Sequence, residues 1–116
     1  MSILLILKIL CALATIVVGM VSLIRPTSVY AFTGLLVSGP RGITEIRAIL
    51  GAMFVGLGAA PFLLQLDPVA FSAGGITYLA VGLARLGAIF IDKSATQSNW
   101  ISLAFEIAFG VILVLG

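Results

Sequence analysis

Four long apolar runs take up most of this chain, the first three each closed by a turn-forming or polar cluster, and each is long enough to cross a bilayer. A helix needs about 20 apolar residues to traverse the ~30 Å hydrocarbon layer. Hydrocarbon supplies no hydrogen-bond partners, so each run must pair its own backbone groups, and as a helix it does so completely. Composition agrees: 62% of the 116 residues are hydrophobic, 9% are charged and mean hydropathy is +1.34, whereas soluble domains carry about 25% charged residues. Six Lys and Arg with four Asp and Glu are too few to coat a soluble surface. The expected fold is all-α, an integral membrane four-helix bundle forming one domain over residues 1–116. Its spans are predicted at about 2–24, 44–66, 68–91 and 99–115.

The boundaries follow from local chemistry. Arg25-Pro26 closes the first span, because proline disfavours helical geometry at the residue before it and arginine holds the headgroup boundary. From Thr27 to Gly42, glycines and Pro40 alternate with Tyr30, Phe32, Leu35 and Leu36, which suits a short interfacial or re-entrant segment between the first two helices. Pro61 is expected to kink the end of the second span. Asp67-Pro68 reads as a helix cap followed by proline in the first helical position, so the third span starts at once. The link 92–98 ends it, Ser98 or Asn99 is expected to cap the fourth, and Trp100 falls at interfacial depth. Ala12-Leu13-Ala14 has the spacing of a signal-peptide cleavage site, but the apolar run continues to Ile24, so the first span is expected to be retained.

Four spans put both termini on one side of the membrane. Arg25, Arg41, Arg47 and Lys93 gather on the other side, so by the positive-inside rule the loops 25–43 and 92–98 are cytoplasmic and the termini face out. Lys8 is expected to reach the headgroups at the terminal side. So few basic residues, placed at span ends, describe topology rather than a nucleic-acid surface, and no nucleic-acid partner is expected. Cys11 is the only cysteine and histidine is absent, which excludes an internal disulfide, a two-cysteine redox pair and the usual zinc and histidine-ligated haem sites. Neither a metal nor another cofactor is expected.

Small residues recur every four positions, at Ala48, Ala52, Gly56 and Ala60 in the second span and at Ala80, Ala84 and Ala88 in the third. Such stripes let helix backbones approach closely, either within a monomer or across a dimer. Cys11, Thr15 and Gly19 make a similar line in the first span, as do Ser102, Glu106 and Gly110 in the fourth.

Arg85 and Glu106 interrupt the last two runs, and an ionisable group inside a span is a functional-site candidate by default. Arg85 precedes Asp92 by seven residues and Glu106 follows Asn99 by seven, so both lie ~10 Å below the same surface and can meet in an antiparallel hairpin. Glu45, Arg47 and Asp92 fall at the same end, which makes these five residues a candidate intramembrane ionic cluster. It can fix helix register, or expose Glu106 or Glu45 as a proton or cation site. Catalysis is not expected, because no nucleophile or metal set accompanies the carboxylates.

Glu45-Ile46-Arg47-Ala48, Gly51, Gly56 and Gly58, then Ala84-Arg85-Leu86-Gly87 with Asp92, and Glu106, together give the chain a pattern that resembles domain of unknown function 4345, a family of small bacterial four-helix membrane proteins. The likeness covers most of the chain. After Asp92 it departs: the resemblance leads one to expect glycine and proline, and Lys93, Ser94 and Thr96 stand there. The resemblance implies a multi-pass fold in the bacterial inner membrane and supplies no activity. The expected role is a small non-catalytic accessory or scaffolding subunit beside other integral membrane proteins, with respiratory or photosynthetic complexes as hosts. The rivals are an oligomeric transporter or channel, and a lipid- or quinone-binding protein using the groove under Tyr30 to Leu36.

Overall fold

The computed structural model describes residues 1–116 and is all-helical. Helix α1 covers Ile3–Ile24, and Ser2 caps it by accepting from the Leu5 N–H at 3.1 Å. Arg25, forced out of helical geometry before proline, leads into a 3₁₀ turn at Pro26–Val29 and the single-turn helix α2, Tyr30–Thr33. Gly34 stops α2 with φ +75, a left-handed conformation that costs glycine nothing. Helix α3 then runs Pro40–Leu63, α4 Pro68–Ile91 and α5 Gln97–Val114. With α1, these are the four helices long and apolar enough to cross a membrane.

Three boundaries differ from expectation, one of them the end of α3, which stops at Leu63 rather than 66 because Gln65 and Leu66 take left-handed φ values of 59 and 60. Helix α3 starts at Pro40 rather than 44, because proline occupies its first turn at no hydrogen-bond cost and the following residues pair with the loop carbonyls; the Ile43 N–H reaches the Gly39 oxygen at 3.2 Å. Helix α5 is capped by Thr96, whose hydroxyl accepts from the Asn99 N–H at 3.2 Å, and not by Ser98 or Asn99. That frees the Asn99 side chain. Asp67 caps α4 as expected, with its carboxylate accepting from the Val69 N–H at 2.8 Å and Pro68 in the first turn.

Residues Ile46–Met53 of α3 wind as a π-helix, and wider turns of this kind change the direction in which every later side chain points. The helices associate as two close pairs, α1 with α3 and α4 with α5. Glycine makes both contacts. A β-carbon on Gly19 would lie 2.7 Å from the Gly51 oxygen, and one on Gly58 would lie 2.6 Å from the Ala12 oxygen. In the second pair a β-carbon on Gly75 would lie 2.8 Å from the Gly110 oxygen.

The stripes predicted for the second and third spans are therefore not the packing surface within the chain. Ala48, Ala52, Gly56, Ala80 and Ala84 are exposed, and Ala60 and Ala88 only half-buried. In a chain whose lipid face is as apolar as its core, small size does not distinguish one face from the other, and the closest approach goes to glycines offset from those lines. The lines in α1 and α5 do face inward: Cys11, Thr15, Gly19, Glu106 and Gly110 are all buried.

The two pairs meet at the terminal end, where Cys11, Ala12, Phe71 and Leu113 form the apolar core. Thr15 and Tyr78 tie them near mid-height by a hydroxyl–hydroxyl hydrogen bond, and the Tyr78 ring stands edge-on to Phe109 at 5.5 Å. Lys8 turns inward instead of reaching for headgroups. It is 5% exposed, with its ammonium 5.7 Å above the Phe71 ring, a position that the ring face stabilises electrostatically.

Candidate functional site

Beyond Tyr78 the two pairs have little contact, and the α4–α5 hairpin carries its own polar centre. Gly82 creates the room for it: a β-carbon there would stand 3.0 Å from the end of the Ile107 side chain and 3.6 Å from the Glu106 β-carbon. With the helices this close, the Arg85 guanidinium lies flat against the Glu106 carboxylate. Nε donates to Oε1 at 2.7 Å and Nη2 to Oε2 at 2.8 Å. This is the bidentate fork geometry that gives arginine–carboxylate pairs their strength and direction. The remaining arm is held as well, since Nη1 donates to Oδ1 of Asn99 at 2.9 Å while the Asn99 amide donates to the Ser94 carbonyl at 2.9 Å.

The pair is asymmetric. The Glu106 side chain is 11% exposed and that of Arg85 31%, so the acid sits behind and the guanidinium faces out. Both carboxylate oxygens are occupied. Arg85 has five N–H groups and donates three of them, which leaves one free on each Nη atom.

The five expected residues do not form one network. Glu45 pairs with Arg41, one turn before it on α3, and both are exposed. Arg47 donates from Nη1 to the Leu23 carbonyl at 2.7 Å, satisfying a carbonyl in the last turn of α1. Asp92 ends α4 with its side chain exposed, and neither of the two ion pairs includes it. All five lie toward the same end of the bundle, but direction around each helix decides contact: Glu45 and Arg47 point toward α3's own first turn and α1, and Asp92 stands ~10 Å along α4 from Arg85.

Asn99 completes the site and was expected only as a cap. Its signal was present in the sequence: it precedes Glu106 by seven residues, two helical turns, and so shares its face. Tyr78 precedes Arg85 by the same interval, and the bond to Thr15 lies on that line.

The arrangement can lock register between two helices and leaves two guanidinium N–H groups on its outward side. The model of the family described as "Domain of unknown function (DUF4345)" matches residues 3–116. No curated protein and no solved structure matches the chain.

Proposed function

The chain belongs to the DUF4345 family, and from that premise we propose that it is a non-catalytic membrane subunit, an accessory or scaffold that packs beside larger integral membrane proteins. The observation that carries this reading is the closed Arg85–Glu106–Asn99 constellation, in which the acid has no free oxygen and the cation is oriented from two sides. A carrier would need an acid that meets water and changes partners. Glu106 is sequestered and doubly bonded, which suits a fixed strut. Two further features support the reading. No buried side-chain nitrogen or oxygen lacks a hydrogen-bond partner, and the partly open space between the pairs, lined by Thr15, Gly58, Phe71 and Tyr78, is about 10 Å³, room for a single water molecule. Meanwhile Leu83, Phe90, Ile91 and Phe105 project outward, each 60% exposed or more. That surface is available to acyl chains or to neighbouring helices. The orientation with loops 25–43 and 92–98 in the cytoplasm, and the setting in a bacterial inner membrane, belong to the same proposal.

Gentle extraction from the native membrane, followed by identification of co-purifying proteins, tests it. Stoichiometric integral membrane companions are expected, and a chain recovered alone or only as a homo-oligomer overturns the scaffold role. In the same preparation Glu106→Gln should reduce stability by about 3 kcal/mol, the low end for breaking a buried pair because Arg85 keeps some exposure. Proton or cation flux in liposomes that vanishes in a well-folded Glu106→Gln protein would replace scaffolding with transport.

A further inference from the structure

An open groove of about 350 Å³ runs along the face of α4 beside the ion pair, lined among others by Val81, Ala84, Arg85, Ala88, Asp92 and Asn99. We propose that this groove binds one glycerophospholipid with a primary-ammonium headgroup, its amine on Asp92, an ester carbonyl on Arg85 and an acyl chain along Ala84 and Val81. The proposal is independent of the scaffolding role and uses groups that the ion pair leaves unspent.

Three levels of the groove match three levels of such a lipid. At the end of α4, in the headgroup layer, Asp92 is a carboxylate outside both ion pairs. A primary ammonium meets it with both charge and hydrogen bonds, whereas a quaternary ammonium donates none and an anionic headgroup is repelled. Deeper in, the guanidinium sits between the levels of Asn99 and Glu106 with one N–H free on each Nη. Its charge is already balanced by Glu106, so it calls for a neutral acceptor, and an ester carbonyl is the one that a phospholipid offers at that depth. Below lies Ala84, exposed and small beside the bulkier Val81, where the groove continues into the apolar part of α4. Seven residues separate Arg85 from Asp92, ~10 Å along the helix, which spans the interfacial layer and the top of the hydrocarbon.

The competing attraction is electrostatic and general: Arg25, Arg41, Arg47 and Lys93 at the same end draw anionic lipids without a groove. Lipid retention distinguishes the two. The full chain is released in native mass spectrometry from micelles holding equal amounts of phosphatidylethanolamine, phosphatidylcholine and phosphatidylglycerol. One retained phosphatidylethanolamine is expected, about fivefold over phosphatidylcholine, as for a surface ion pair near the top of its range. Asp92→Asn should lower phosphatidylethanolamine retention to the level of phosphatidylcholine while leaving phosphatidylcholine retention and the melting temperature unchanged. Ala84→Leu, which fills the groove at an exposed site, should lower retention of every lipid. Equal retention of the three lipids, a preference for phosphatidylglycerol, or an Asp92→Asn protein that selects phosphatidylethanolamine as well as the parent does would each overturn the proposal.

Discussion

At the scale of single residues, a guanidinium placed in hydrocarbon without its partner is the costliest object in this molecule, and Glu106 is what makes Arg85 tolerable. Pairing offsets desolvation rather than adding a large net gain. The double change Arg85→Met with Glu106→Leu is therefore expected to fold within about 1 kcal/mol of the parent, where Glu106→Gln alone loses about 3. Chemical denaturation in mixed micelles measures both, and a double variant as unstable as the single one would show that the pair contributes more than mutual compensation. Asn99→Leu removes one acceptor from Arg85 and one donor from the Ser94 carbonyl. A loss of about 1–2 kcal/mol is expected, read in the same assay. Arg85 and Glu106 were legible in the sequence because counting residues from a span end fixes depth. Glu45 and Arg47 lie at the same end without sharing the contact, because depth leaves azimuth open, and Asp92 stands ~10 Å further along α4.

Among the elements, α3 departs furthest from what its residues suggest, since its π-helical stretch carries Gly51 onto Leu23 and aims Gly58 at the Ala12 carbonyl. The neighbouring Gly56 has nothing within 4 Å of where a β-carbon would stand. Gly56→Ala should thus stabilise α3 by up to about 1 kcal/mol through helix propensity, whereas Gly58→Ala should cost about 1–3 kcal/mol by forcing α1 and α3 apart. Thermal unfolding of the two variants side by side checks the assignment, and equal effects would count against this packing line. The α4–α5 link gives a second case. Lys93 holds φ 52, a left-handed conformation, in the loop where the family resemblance leads one to expect glycine and proline. Lys93→Gly is expected to raise stability by about 1 kcal/mol, because an L-residue carries a steric cost there and glycine carries none. Most boundaries were readable from Pro and Asp, but the Thr96 cap and the pitch of α3 were not. No local residue type demands a π-helix.

For the whole molecule, the extents of 44 × 31 × 17 Å describe a flattened bundle, two tight pairs side by side rather than a round core. Only 21 of 116 residues are buried, so most apolar side chains face outward and lipid or neighbouring helices must cover them. The pairs are joined by the Cys11, Ala12, Phe71 and Leu113 cluster and by the Thr15–Tyr78 bond. Tyr78→Phe deletes that bond and leaves the ring. A loss of about 0.6 kcal/mol is expected, the average for hydrogen bonds between membrane helices, together with faster amide exchange at the facing turns of α1 and α4. Unchanged exchange there would mean that the apolar cluster alone holds the pairs together. The sequence by itself determined that this is a four-span helical chain and that two charges lie at one depth in its last hairpin, because hydrophobic length and residue count act along the chain. Tertiary structure alone decided which faces meet, that Asn99 closes the ion pair, and that Asp92 and the alanine line of α4 look outward. In a lipid solvent both faces of a helix are apolar, so only backbone approach through glycine selects the buried one.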